Sequence, residues 1–528
     1  MSFTSVSFLL FITAVFVLYY ATPKRYRYIT LLLSSYFFYY VSSKGLVLYL
    51  LVTTVSVYLS GFLLLKYNER IKSIQGSASL EQADRLALKK RIVTKKKLLL
   101  TAILLLNFGI LAALKYGGLL SSAWNFVMPA KALKLLDFSA VVLPLGISFY
   151  TFQSMGYLID VYRGKYKPER NIAKFALFVS FFPQIVQGPI ARYDDLAHQL
   201  YEPHSFDYTQ AKNGILLIGW GFIRKLLVAD RLAGLVSDVF NHSASYSGSV
   251  LLVAAFAYGL QVYCDFSGGM DIASGVAQVM GIRLAKNFLR PYYANSIADF
   301  WRRWHVTLGA WMRDYLFYPL SLSSAFGRLA KAIRKRWGSR WSKIIVSGIV
   351  SFIVFTVVGI WHGAEAKYIL YGFWNGGLIM MATLLEPLFN KCLGKLKIKQ
   401  EYLGWKIFRV IRTIFLLSIG RSIVCSLNGS AAIETVRKIF FSFAPMDLVN
   451  GTLANLGIGK FDLAVLVLLL AIIFFIDYLN ERGFSVLETI GKWPVVSRWA
   501  VYYAIIFALM MLMPVGGSVS NGFIYAQF

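Results

Sequence analysis

The chain has 528 residues, 57% of them hydrophobic and 16% aromatic, and its mean hydropathy of +0.59 lies far above that of a soluble domain. A soluble globular fold is excluded, which leaves an integral membrane protein. The formal charge of +30 would suggest nucleic acid in a soluble chain, but the bases here concentrate in a few linker loops between apolar runs, Arg328–Lys343 among them, the pattern of membrane topology with no nucleic-acid partner.

In chain order, nearly uncharged runs of spanning length recur near residues 3 to 20, 28 to 43, 46 to 65, 98 to 114, 141 to 159, 249 to 264, 344 to 361, 368 to 385, 413 to 424, 461 to 479 and 499 to 515. They predict an all-α polytopic fold of about eleven transmembrane helices with shorter embedded or re-entrant helices between them. The first run has neither a basic leader nor a small-residue cleavage site, and reads as a retained span, not a signal peptide. Lys66–Lys97 carries ten Lys and Arg against three acids, Arg328–Lys343 seven against none, and Lys391–Arg412 seven against one. Taken as cytoplasmic, these segments put the N-terminus and the tail "NGFIYAQF" outside. They also offer a docking surface for an acidic cytosolic donor. No separate soluble domain is evident: 1–140 supplies N-terminal helices, 141–390 a core, and 391–528 C-terminal helices and an aromatic tail of one membrane domain. Cys264, Cys392 and Cys425 lie too far apart in sequence to suggest disulfides or a zinc site.

Between Ile172 and Leu320 the apolar pattern is interrupted by Arg192, Arg224, Lys225, Asp230, Arg231, Asp265, Asp271 and Arg290. Each would cost about 2.5–3.5 kcal/mol facing lipid, so their helices line protein, a wet cavity or an interface. The turns "QGPI" (Gln187–Ile190) and "DFSGGMD" (Asp265–Asp271) suit broken or re-entrant segments buried in protein.

"DFWRRWHVTLGAWMRDYLFYPL", Asp299–Leu320, combines three arginines, two aspartates and a histidine. Wound as one helix, it places Trp301, Trp304 and His305 on an aromatic half and Arg302, Arg303, Arg313 and Asp314 behind, with Asp299 and Arg303 spaced for an ion pair. An interfacial anchor explains the charges but not His305. A second histidine, His362, ends the 18 uncharged residues Ile344–Trp361 in "GIWHGAE". That run rises about 27 Å, which carries His362 toward the outer half of the membrane. Two of the five histidines among tryptophan and glycine in membrane context favour function over packing. With no third metal ligand nearby, no nucleophile elbow and no phosphate loop, no metal and no bound cofactor are expected. A histidine without a side-chain nucleophile suggests general-base catalysis on a bound hydroxyl.

Together with "FFPQIVQGPIARY" (Phe181–Tyr193), "YCDFSGGMDIASG" (Tyr263–Gly275) and "GIWHG", this stretch resembles the membrane-bound O-acyltransferase family, in its bacterial branch of alginate O-acetylation and teichoic acid D-alanylation membrane proteins. The likeness is strongest from Phe149 to Trp374. It implies helices around a tunnel or funnel in the bacterial cytoplasmic membrane. Through it an acyl group, from acetyl-CoA or an acyl carrier protein, passes to a hydroxyl of an exopolysaccharide or envelope polymer, with a separate periplasmic or extracellular transferase as partner. His362 matches the invariant family histidine and His305 the second of the branch. Where a further histidine is common, this chain has Asn375, and Gly269 replaces a commoner aromatic in "DFSGG".

On this reading neutral His362 takes the proton of the attacking hydroxyl, His305 orients the thioester or stabilises the oxyanion, and Trp304 and Trp361 exclude water. Arg302 and Arg303 face the cytosolic boundary, while Asp265, Gln153 and Gln187 brace the site or simply join helices. Tyr525, the one phenol in the tail "FIYAQF", is either an acyl relay to the external partner or an aromatic-belt anchor. Two other functions compete: D-alanyl transfer from a carrier-protein thioester, and a transporter, flippase or scaffold of a polysaccharide secretion complex, which needs no histidines.

Overall fold

The computed structural model describes residues 1–43, 45–76, 81–127, 143–452, 456, 458–512 and 522–523. Among these all regular secondary structure is helical, and the only strand-like feature is a single antiparallel bridge between Phe288 and Trp304. Among the described residues seven helices are long and apolar enough to cross a membrane: Val47–Gly76, Gln82–Gly118, Gly248–Val279, Ser324–His362, Ala366–Lys395, Lys460–Glu481 and Val495–Leu512. The predicted runs near 3 to 20, 28 to 43, 141 to 159 and 413 to 424 fall on the helices Val6–Ala21, Arg27–Ser43, Ile147–Arg163 and Leu403–Cys425. The chain is thus an all-α polytopic membrane protein, as its hydropathy requires.

The helices form two compact units, residues 1–215 with 273–285, and residues 216–272 with 286–528. In the first, the core is aromatic, with Phe8, Phe38, Tyr39, Tyr150, Phe175 and Phe182 buried. Gly146 and Gly164, at φ +66° and +77°, bracket Ile147–Arg163 in left-handed conformations that only glycine adopts freely. After the short helix Phe182–Ile185, Gln187–Ile190 runs buried and non-helical, as the glycine and proline predict. A Cβ on Gly188 would lie 2.4 Å from Gln184 Cα, so this turn needs its glycine for close approach.

In the second unit, two readings of the sequence are corrected. "DFSGGMD" is not a break, because Asp265–Asp271 lies inside the continuous helix Gly248–Val279. Its glycine serves packing: a Cβ on Gly268 would sit 2.7 Å from the carbonyl oxygen of Gly221 on the adjoining helix. The basic run Arg328–Lys343 is not a loop either. It is helical, and Gly338 at φ +82° breaks Ser324–His362 into two legs. Ser342 Oγ, on the second leg, donates to Ala330 O on the first at 2.8 Å. The second leg then packs closely on Ala366–Lys395, where a Cβ on Gly372 would meet Phe355 O at 2.6 Å.

Two embedded cations of this unit, Arg224 and Lys225, pair with carboxylates. Arg224 lies 3.1 Å from Asp271 and 3.6 Å from Asp477, and Lys225 2.6 Å from Asp265 and 2.9 Å from Asp230. That is the condition under which such groups persist inside a membrane protein.

Candidate active site

The helix Ile297–Arg303 starts on Ser296, whose Oγ accepts from Asp299 N at 3.1 Å, and the predicted Asp299–Arg303 ion pair forms at 3.3 Å. The stretch does not continue as one helix. Trp304 is extended and bridges to Phe288, while His305 takes a left-handed conformation at φ +45° before the helix restarts at Val306–Met312. The break is tertiary in origin: the extended segment 287–289 exchanges backbone hydrogen bonds with it, Leu289 N to Arg303 O at 2.9 Å and Val306 N to Asn287 O at 3.0 Å. A left-handed histidine costs about 1–2 kcal/mol, and its side chain is thereby turned away from the helical register the sequence suggested.

Asn287 fixes that side chain. Its Oδ1 accepts from Thr307 N at 3.0 Å and Thr307 Oγ1 at 2.9 Å, and lies 3.2 Å from His305 Nδ1. An oxygen that already accepts twice can only accept again, so the proton of the neutral imidazole is on Nδ1 and the lone pair on Nε2. Phe266 meets the ring edge-on at 4.8 Å between centroids. Burial, with a smaller contribution from the nearby His362, pushes the His305 pKa down to about 3. The two histidines are therefore brought within electrostatic reach of each other, and His305 is held neutral.

His362 is the last residue of its helix and is half-buried, with its ring 4.7 Å from that of Trp361 and 6.0 Å from that of Tyr371. Its position depends on close helix approach: a Cβ on Gly359 would lie 2.4 Å from Tyr368 O. His362 lines a cavity of about 50 Å³ together with Trp301, Trp304, Tyr368, Tyr371 and Arg421. Asn375, 1% exposed, is tied into the wall of this site. It donates to Tyr371 O at 2.9 Å and accepts from Trp301 Nε1 at 3.3 Å.

The other residues singled out in the sequence lie elsewhere. Arg302 is exposed and pairs with Asp299 at 3.4 Å, and Arg303 reaches Glu481 at 2.9 Å, so both secure the turn from outside. Asp265 belongs to the Lys225 pair. Gln153 and Gln187 are in the first unit, where Gln153 Nε2 donates to Phe178 O at 2.6 Å, its Oε1 accepts from Gln184 Nε2, and Gln187 is fully buried. Tyr525 lies outside the described residues.

Residues 169–334 match the model of the MBOAT, membrane-bound O-acyltransferase family, a span that includes Asn287 and His305 and ends before His362. The chain is 33% identical over 417 residues to a probable alginate O-acetylase of Pseudomonas syringae pv. tomato, covering 78% of this chain and 72% of that one. The chain belongs to the membrane-bound O-acyltransferase family. More distant relatives of this O-acyltransferase include a peptidoglycan O-acetyltransferase of Helicobacter pylori, 29% identical over 53% of this chain and 54% of that protein. A teichoic acid D-alanyltransferase of Bacillus subtilis is 30% identical over 47% of this chain and 60% of its own length.

Three members of this candidate site are not singled out by the sequence reading. Asn287 sits in "AKNFLR", where nothing distinguishes it from a loop asparagine. Trp301 was placed on the aromatic half without a role. Arg421 did carry a signal, as a lone cation in the apolar run 413–424, which is where an intramembrane charge is a functional candidate.

Proposed function

We propose that this O-acyltransferase moves an acetyl group from a cytosolic thioester, acetyl-CoA or an acyl carrier protein, to a hydroxyl of an exopolysaccharide or other envelope polymer. It acts in the bacterial cytoplasmic membrane with a separate periplasmic or extracellular transferase. The observation that carries this reading is a buried, neutral His305 held within electrostatic reach of His362, which is half-buried and lines an aromatic-walled cavity.

His362 acts as general base toward the attacking hydroxyl, which it can do only in the neutral form. His305 contributes an acceptor at Nε2, because its Nδ1–H donates to Asn287 Oδ1. That assignment favours an orienting role over donation to an oxyanion, which needs a hydrogen on the nitrogen that faces it. Trp301, Trp304 and Trp361 shield the site from water and so protect the thioester from hydrolysis. Acetyl is preferred over D-alanyl as the group transferred because the alginate-acetylase relative is matched over 78% of this chain and the D-alanyltransferase over 47%.

The test is ester-linked acetate on envelope polysaccharide in cells expressing wild type, His362→Ala or His305→Ala at matched membrane levels. Loss of a general base is worth about 10²–10⁴ in rate, so His362→Ala should abolish detectable acetate. Unchanged acetate in both variants, in a strain whose deletion removes it, would reject the histidine mechanism. Tyr525→Phe in the same assay addresses the acyl relay: full acetylation by that variant rules it out.

A further inference from the structure

Arg421 is 8% exposed inside Leu403–Cys425. Elsewhere in the same unit, Arg224 and Lys225 are buried to a similar degree and each has two carboxylates within 4 Å. Arg421 has none among the described residues, and its Nη1 is buried without a hydrogen-bond partner among them. What surrounds it instead is a cradle of rings. The guanidinium carbon lies 5.3 Å from the centroid of Tyr292, 5.6 Å from that of Phe300 and 6.0 Å from that of Trp304. Rings stabilise a cation through their quadrupoles but bring no countercharge.

The backbone also makes room for this group. A Cβ on Gly259 would lie 1.9 Å from Arg421 Nη1, so the helix Gly248–Val279 carries a notch where the guanidinium sits. A buried charge left uncompensated is strongly unfavourable unless the function supplies its partner. Arg421 lines the same cavity as His362, so the cation and the histidine face one space.

We propose that Arg421 is a catalytic residue of the acyl transfer, the cation that receives the oxyanion formed when the acceptor hydroxyl attacks the thioester. The inference rests on the reading of His362 as base. The acceptor oxygen bonds to the carbonyl carbon, its proton passes to His362, and the carbonyl π pair moves onto oxygen beside the guanidinium. Collapse returns that pair, breaks the C–S bond, and lets the thiolate leave with the proton from His362. Charge at oxygen exists only between these two events, so Arg421 stabilises the transition state more than the bound thioester.

The experiment uses inside-out membrane vesicles from cells that make the polymer, with radiolabelled acetyl-CoA varied as donor and, in parallel, acetylated acyl carrier protein. Arg421→Gln should lower kcat by about 10²–10³ while KM for the donor stays within about threefold. Arg421→Lys, which keeps a point charge but not the planar fork, should fall between. Gly259→Ala, which crowds the guanidinium without removing it, should also lower kcat, and it serves if Arg421→Gln fails to accumulate. A raised KM with kcat unchanged would mean that Arg421 anchors an anion of the ground-state substrate, and the proposal fails. Full activity in Arg421→Gln or Gly259→Ala also overturns it. His362→Ala is measured alongside: if it retains transfer, or if the wild type transfers from neither donor, the underlying reading is wrong.

Discussion

Asn287 Oδ1 gathers Thr307 N, Thr307 Oγ1 and His305 Nδ1 at 2.9–3.2 Å, so one amide oxygen sets both the restart of a helix and the tautomer of a histidine. Asn287→Leu should remove all three hydrogen bonds and lower acetylation at least about tenfold, while Asn287→Asp, which keeps an acceptor, should retain more of it. The Asp variant matching the Leu variant would show that the acceptor is not what matters. His305 also makes stability depend on pH. Its folded pKa is depressed from 6.5 to about 3, so between those values the unfolded chain binds a proton that the folded chain does not. The stability associated with neutral His305 is complete above pH 6.5 and is lost as pH falls toward 3. Thermal unfolding of the detergent-solubilised protein at pH 7 and pH 5 should show a drop that is smaller by several degrees in His305→Asn. An equal drop in both proteins would mean that His305 is not held neutral by burial. Both histidines were legible as sequence motifs, but the left-handed backbone at His305 was not, because it follows from pairing with 287–289, a contact invisible to local periodicity.

Two helices position His362, and glycines let them meet. Cβ atoms on Gly359, Gly372 and Gly376 would lie 2.4 Å from Tyr368 O, 2.6 Å from Phe355 O and 3.1 Å from Phe352 Cα. Gly372→Val should therefore push the two helices apart, at a cost of about 1–3 kcal/mol from overpacking. It should lower both the unfolding midpoint and acyl transfer, whereas His362→Ala lowers transfer with little change in the midpoint. A Gly372→Val protein as stable and active as wild type would refute close approach as the device that places the histidine. Glycine is ambiguous in sequence for the same reason. In "QGPI" it marks a buried turn because a proline follows, while in "DFSGGMD" it marks a helix crossing. Only the partner, Gly221 O beside Gly268, distinguishes the two cases. The basic run before Ile344 reads as a loop yet is helical, because charge density signals the aqueous phase and not the end of a helix.

At the scale of the molecule, the basic segments set the expected orientation, with the N-terminus outside and Arg328–Lys343 in the cytosol. Single cysteines at Ser2 and Lys331, in a chain freed of Cys264, Cys392 and Cys425, would be labelled by an impermeant maleimide from opposite sides: Ser2→Cys in intact spheroplasts, Lys331→Cys only in inverted vesicles. The reverse pattern would turn the protein over and place the thioester on the wrong face. The fold class was readable because a bilayer admits few solutions for an apolar chain. The pairing of embedded charges was not, since Arg224 meets both Asp271 and Asp477, the latter on the helix Lys460–Glu481. That pairing has a consequence for biogenesis. Asp477 emerges from the ribosome roughly 200 residues after Asp271, a wait of about 10–40 s at ordinary synthesis rates. During that interval the nascent protein holds an arginine short of one of its carboxylates. Until that late helix arrives, Asp271 alone holds the arginine of the half-built bundle.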